Sequence, residues 1–466
     1  MLERFMFWMS AIFHEGGWSM ALSFRKLKIG FVNLVSPILA GRELAIKHAN
    51  DIIEYLKKEL NIEVVDYGKP LLQRDQAVEA WKKFKTADVD AVILFNGTFS
   101  TGELTVEIIR NLDCPFVLWG IGELALHSKN VSGSMISLMA AGTLFKNMDK
   151  RFSFIYDTID NEQTKSKLQI FVKAIRGISY LKEATIAVIG MRPDGFEVSD
   201  YDELAIKKMF GTEITKLSLY TLSKIMKNID EKDIDKDMEI QKKIFDIQAK
   251  DIEEARGLSR LYLALKSFVK EKKVQSYAPD CWPELRDIDK TPICPVNGRM
   301  NVEGVMASCE CDVDGSLTLM LEYALTGSPP WWADFVNIIK EHDALLWWHC
   351  GNAPYSLSSK KPILEKVFDF GGLSQTAIMK EGTATICRLN SIRGVFTIHA
   401  GVGEVIEVEP LLRGSNLLIK MRCGNMEFID SMLQNGIPHH NGIVYGDILD
   451  ELKEFAHLMD IPIVIK

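Results

Sequence analysis

The sequence predicts an α/β protein in which two doubly wound units precede a mostly β, barrel-like C-terminal domain. Two series of apolar strands alternating with amphipathic helices, one from Lys26 and one from Ala184, indicate the doubly wound units. After Pro354 the texture changes to short strands punctuated by glycine and turn residues, which indicates the barrel.

In the first unit, residues 28–33 read as a strand, 42–60 as an amphipathic helix, 62–65 as a short strand and 76–84 as a helix. Residues 91–95 (Ala-Val-Ile-Leu-Phe) form a strand ending at Asn96-Gly97, and 114–119 form another ending at Gly120. Uninterrupted apolar strands of this kind belong to a parallel sheet covered on both faces, the flavodoxin- or Rossmann-like arrangement. The second unit opens with a strand at 184–190, continues through a helix at about 202–209 and includes a long charged helical stretch from about 230 to 270. Residues 276–306, rich in Pro, Cys and Asp and including Cys281-Trp282-Pro283, read as a loop region lining a cleft. Strands are expected at 383–390, 394–399, 404–409 and 417–422, then a helix at 447–459 and a last strand at 461–465. The implied boundaries are an N-terminal extension 1–25, an N-terminal α/β domain 26–160, a central α/β domain 161–328 and a C-terminal β-rich domain 329–466.

Composition narrows the class of function. The chain has 466 residues, 47% hydrophobic and 25% charged, which suits a globular protein of several domains. A net charge of −8 and no basic stripe exclude a phosphate-tracking nucleic-acid binder. Small-molecule chemistry is therefore the default. The eight cysteines form no CxxC pair, as expected of a reducing cytoplasm. The apolar run 5–13 is too short to span a bilayer and is followed by a poor cleavage region, Glu15-Gly-Gly-Trp, so no signal peptide or membrane span is expected. A start at Met20 is an equal reading.

The chemistry concentrates in four segments. Glu310 stands in Ala-Ser-Cys-Glu-Cys, and Asp334, 24 positions later, follows Trp331-Trp332-Ala333. Carboxylates in such apolar company need a metal or a substrate. His349 follows Leu-Leu-Trp-Trp, and His439-His440 precede Asn-Gly-Ile-Val-Tyr-Gly at the mouth of a strand. Two carboxylates and one or more imidazoles fit a divalent cation with positions left for a hydroxylated ligand. Against this stand plainer readings. Asp312 or Asp314 caps a helix starting near Ser316, His349 is a core histidine bonded to backbone, and His399 and His457 have structural roles. Cys309 and Cys311 with Cys350 and a histidine offer a zinc set, but no second close cysteine pair completes it. The tryptophan pairs 331–332 and 347–348 suit core packing better than an interface.

With these segments in place, the chain from Lys26 onward resembles the L-fucose isomerase and L-arabinose isomerase family. The segment Leu325-Thr-Gly-Ser-Pro-Pro-Trp-Trp-Ala-Asp334 looks like the one in which a threonine-glycine pair leads into that family's second catalytic acid, and Glu310 stands where the first acid is found. His440, in His-x-Gly-x-x-Tyr-Gly, resembles the family's histidine ligand, and His349 falls where arabinose-type members supply a second one. Arg42, in Ala-Gly-Arg-Glu, resembles an arginine that reaches the substrate in fucose-type members, whereas His439 replaces a residue often Asn there.

The resemblance implies a metal-dependent aldose–ketose isomerase working through an enediol, with a hydride shift as the other route. Glu310 and Asp334 would be the acid/base pair. Glu310, Asp334 and His440 would hold Mn²⁺, with Co²⁺ or Mg²⁺ as alternatives, and His349 would be a fourth ligand or a donor to a substrate hydroxyl. Arg42, His349, His439 and Trp282 would bind the sugar. The substrate is an ordinary monosaccharide or a modified aldose, sulfonated or deoxy, in which case Arg42 and His439 would meet an anionic substituent. A homo-hexamer or homotrimer in the cytoplasm is also implied. A non-catalytic sugar-binding protein is the other class, since two α/β units around a cleft also build binders.

Overall fold

The computed structural model describes residues 24–123, 130–367 and 372–466. The apolar run 5–13 and Met20 lie outside the described residues. The chain divides into two compact units.

One unit comprises Phe24–Ser179 with Asp450–Asp460. Its parallel sheet is formed by β1 (Lys28–Leu34), β2 (Glu63–Asp66), β3 (Ala91–Asn96), β4 (Phe116–Gly120) and β5 (Ser153–Tyr156) in the order β2-β1-β3-β4-β5. That order is the flavodoxin-like one. Every residue of β3 is buried. Ile93 and Phe95 enter one hydrophobic core with Ile52 and Leu56 of the helix Arg42–Lys58. Val92 and Leu94 enter another with Ala77 and Phe84 of the helix Arg74–Ala87. The period-2 alternation of a strand thus covers both faces, which is why no polar residue interrupts it.

The other unit comprises Tyr180–Leu449 with Ile461–Lys466. It holds a parallel sheet of β6 (Thr185–Ile189), β7 (Glu213–Leu217), β9 (Ser276–Pro279) and β10 (Met306–Ala307), ordered β10-β9-β6-β7. The charged stretch expected as one long helix is two, Glu231–Ile244 and Ile252–Lys272. Buried Phe245 takes an extended conformation between them, and β8 (Asp246–Ile247) pairs with a strand of the next sheet. Tertiary pairing here overrides helix propensity. The expected loop 276–306 also corrects to structure: β9, the helices Glu284–Asp289 and Cys294–Val302, and the approach to β10. Pro295 sits in the first turn of the second helix, where no backbone N–H is needed. That helix buries Asn297, Arg299 and Asn301, so it lacks the amphipathic pattern that would have revealed it.

The third sheet contains β11 (Trp331–Ile339), β12 (Ala344–His349), β13 (Ile363–Glu365), β14 (Ser374–Ile378), β15 (Gly382–Ile392), β16 (Val395–Ile406), β17 (Ser415–Met421), β18 (His440–Tyr445) and β19 (Ile463–Ile465). Six of them, β16-β15-β18-β11-β12-β17, close into a barrel because β17 returns to pair with β16. β19 flanks β16, and β14, β13 and β8 extend the sheet beyond β17. The barrel begins at Trp331, ahead of the change of texture at Pro354. The two strands expected at 394–399 and 404–409 are the single strand β16. Gly401 and Gly403, which read as breaks, instead permit close packing: a Cβ at Gly401 would lie 2.5 Å from the Phe428 ring, and one at Gly403 would strike the Lys420 carbonyl. Trp331, Trp332 and Trp347 are fully buried within the unit, so packing accounts for them.

Candidate active site

Three adjacent barrel strands meet a turn of the four-stranded sheet here. Asp334 on β11 lies directly opposite His440, the first residue of β18, and His349 ends β12 on the other side of β11. Strand pairing therefore assembles three side chains distant in sequence at one end of the barrel. The His440 Nε2 is 3.1 Å from Asp334 Oδ1 and 3.8 Å from Glu310 Oε2. The His349 and His440 rings are nearly parallel, with centroids 5.7 Å apart.

Glu310 comes from the turn after β10. It has φ 53° and Cys311 has φ 56°, two successive left-handed residues that are not glycine. Such a backbone is uncommon and persists only where neighbours hold it. Here the Ser308 N–H donates to the Tyr277 carbonyl, the Cys311 N–H to the Pro279 carbonyl and the Ser308 hydroxyl to the Asp312 carbonyl. Asp312 does cap the helix Val313–Thr326, accepting from the Gly315 N–H at 2.7 Å. It does more than the sequence suggested. Arg388 of β15 binds it in a fork at 2.9 and 3.1 Å, and its Oδ2 lies 3.9 Å from His440 Nδ1. A carboxylate behind a histidine favours the orientation that leaves Nε2 facing the site. Arg388 was not anticipated. Its signal was a charged residue inside the apolar run Thr385-Ile-Cys-Arg-Leu.

The electrostatics suit a cation. Burial, reinforced by Asp334 and Asp312, pushes the Glu310 carboxyl up to about 8. His440 is pulled well below its usual value by burial and by the neighbouring His439, His349 and Arg388, so its ring is neutral and fit to ligate. Glu310 Oε2, Asp334 Oδ1 and His349 Nε2 are buried and have no hydrogen-bond partner. An orphaned buried polar atom costs about 1–3 kcal/mol, and three converging on one imidazole fit a divalent ion and its ligand. Two sets of donor atoms lie close enough to share an ion, namely Asp334, His349 and His440, and Glu310, His439 and His440. His349 Nδ1 accepts the Cys350 N–H at 2.9 Å. Against the downward pull of burial, Cys350 and Asp334 raise this ring to about 9, and with Nδ1 accepting, the proton sits on Nε2, which is a donor in this geometry.

The other candidates fall as follows. His439 is 44% exposed on its side chain and lies 3.8 Å from Asp334 Oδ1. Trp282 follows β9 and is exposed, with its ring centroid 6.3 Å from that of Phe196. Arg42 is the first residue of its helix in the other compact unit. His399 is buried in the barrel against Ser431, and His457 meets the Phe152 carbonyl. The cysteine alternative does not assemble, because Cys309 faces Cys281 at 3.0 Å, Cys350 faces Cys294 at 3.7 Å and Cys311 turns to the Ile189 carbonyl.

Residues 348–466 match the family model described as L-fucose isomerase, C-terminal domain. Proteins named sulfoquinovose isomerase are similar over most of the chain. That of Alkalicoccus urumqiensis is 21% identical over 399 residues, 84% of this chain and 90% of its own length. That of Priestia aryabhattai is 22% identical over 386 residues, 80% of this chain and 84% of its own. A third, from Clostridium sp. (strain MSTE9), is 22% identical over 376 residues. The chain is thus similar to L-fucose isomerase in its C-terminal domain and to the sulfoquinovose isomerases over most of its length.

Proposed function

We propose that this protein is a divalent-metal-dependent aldose–ketose isomerase whose substrate is a sulfonated aldose. The observation that carries the catalytic part is the convergence of Glu310 and Asp334, from two different sheets, on the buried neutral His440. The name shared by the similar proteins supports the substrate. Glu310, Asp334 and His440 would hold the ion, and Mn²⁺ suits their oxygen-rich donor set, with Co²⁺ or Mg²⁺ also fitting. When bound, the ion supplies positive charge against the oxygens that become negative as the C2 proton leaves.

The residues divide the remaining work. One carboxylate takes the proton from C2 and the other returns one to C1, through an enediol of the substrate. With a cation bound, the Glu310 carboxyl would fall from the value of about 8 that it has without metal, leaving it ionised and able to accept a proton. Two interacting carboxylates titrate jointly, so the roles belong to the pair. A hydride shift between C1 and C2 uses the same set. His349 Nε2 offers a hydrogen bond to a substrate hydroxyl, in preference to ligating the ion, because Nδ1 is already an acceptor. Arg42, His439 and Trp282 remain sugar-binding candidates.

A sensor that only bound sugar would use neutral hydrogen bonds and aromatic platforms, and would not need two half-buried acids around a buried imidazole. The eight unbridged cysteines support a reducing cytoplasm, and no described helix is long and apolar enough to cross a membrane. A homo-hexamer or homotrimer follows the family resemblance. The test is a panel of aldoses and ketoses, with and without a 6-sulfonate, incubated with Mn²⁺-loaded protein and read by NMR for the isomeric product. Product from the sulfonated aldose is expected; no product from any sugar rules the reading out.

A further inference from the structure

The C-terminal edge of the four-stranded sheet carries side chains that proton transfer does not use. Arg192 stands two residues past Gly190, on the loop that leaves β6. Its Nη1 is buried without a hydrogen-bond partner, and it has no ion-pair partner among the described residues. The nearby acid does not satisfy it. The Asp280 carboxylate, packed against Gly190, makes no ion pair with Arg192 and keeps its own Oδ1 without a hydrogen-bond partner. Cys311, next to Glu310, turns its thiol toward the Ile189 carbonyl at the root of the Arg192 loop. The loop that carries Arg192 thus leaves its strand beside the turn that presents Glu310. On the same edge, Phe196 and the exposed Trp282 form an aromatic wall from the loops after β6 and β9.

A buried guanidinium nitrogen with no partner has the same signature as Glu310 Oε2, Asp334 Oδ1 and His349 Nε2. The difference is its sign. The acids and His440 await a cation, whereas Arg192 awaits an anion. Resting on the isomerase reading above, we propose that Arg192 selects the anionic substituent of the sugar. It would bind the sulfonate at the end remote from C1 and C2, with Trp282 against the sugar face. A sulfonate stays charged at all physiological pH and presents three equivalent oxygens, which a planar guanidinium fork matches. His439 is the weaker candidate for this role, because it already lies beside the Asp334 carboxylate.

The test is calorimetric titration of the Mn²⁺-loaded protein with a 6-sulfonated aldohexose and with the same hexose carrying a 6-hydroxyl. Wild type should prefer the sulfonated sugar, and Arg192→Met should reduce that preference by about 10- to 100-fold, the range for hydrogen bonds to a charged group. Arg192→Gln keeps a polar side chain for the loop and gives the same readout where the Met variant loses its fold. An unchanged preference in either folded variant, or no preference in wild type, overturns the proposal. Selective binding through Arg192 without any turnover would leave this inference standing and remove the isomerase reading. Turnover of the sulfonated sugar that both variants preserve would do the reverse.

Discussion

The barrel-bearing unit buries two charged clusters that are built on opposite plans. Around Asp237, Arg299 donates both terminal nitrogens at 2.9 and 2.7 Å, Ser259 adds a hydroxyl at 2.7 Å and the guanidinium lies 3.5 Å over the Tyr262 ring. Tyr262 in turn donates to Glu303, which Lys266 also binds. Cation and anion face each other, and Arg299 Nε, outside the fork, lies 3.6 Å from the Glu303 carboxylate. Around His440 the donors are two carboxylates and neutral or donor-bearing imidazoles, with three buried atoms left without a partner. The two clusters therefore differ in whether the charges balance within the chain, and the unbalanced acids, Glu310 and Asp334, are the more accessible, at 19% and 21% against 3% for Asp237. The first cluster fastens helices; the second has the composition of a site awaiting a ligand.

This comparison can be broken at several points. The largest effect should come from Glu310→Gln and Asp334→Asn, each lowering kcat by about 10²–10⁴-fold. The double variant should be little worse than either, because groups acting as a unit do not add. His440→Ala and Glu310→Gln should lose metal by elemental analysis; wild-type metal content in both would remove them from the ligand set. In the balanced cluster, Asp237→Ala should strand a buried guanidinium and lower stability by about 3–5 kcal/mol in urea unfolding, with metal content unchanged. If Asp237→Ala instead abolished metal binding without destabilising, the contrast between the clusters would be wrong.

A smaller effect separates His399 from the site histidines. Burial, with Lys466 nearby, depresses its pKa from 6.5 to about 4. The folded protein then binds fewer protons than the unfolded chain between those values, so stability should fall as pH drops from about 6.5 to about 4. The total is about 3 kcal/mol, and His399→Asn should flatten that slope. The smallest effect is a proton count. Below pH about 8 the metal-free Glu310 carboxyl holds a proton that a cation must displace. Divalent uptake at pH 7 should therefore release about one proton, seen as buffer-dependent calorimetric heat and fading above pH 8.

Much of this was legible in the sequence, for physical reasons that also mark where it was not. Strands such as Ala91–Asn96 announce themselves because both faces are apolar. Glu310 and Asp334 stood out because acids among Ala, Cys and Trp have few plain explanations. The helix Cys294–Val302 was hidden because it buries asparagine and arginine, and β16 was split because its glycines serve packing and look like turns. The pairing of Arg388 with Asp312 was invisible for another reason: they meet across 76 positions, and only the strand order brings them together.

The central claim is that Glu310 and Asp334 move a proton on a sugar held at this site. The most direct test is NMR of a 6-sulfonated aldose incubated in D₂O with the Mn²⁺-loaded protein. The account predicts ketose product with deuterium appearing at C2 of the recovered aldose, and the loss of both in Glu310→Gln and in Asp334→Asn. Isomerisation that persists undiminished in the two variants would contradict it.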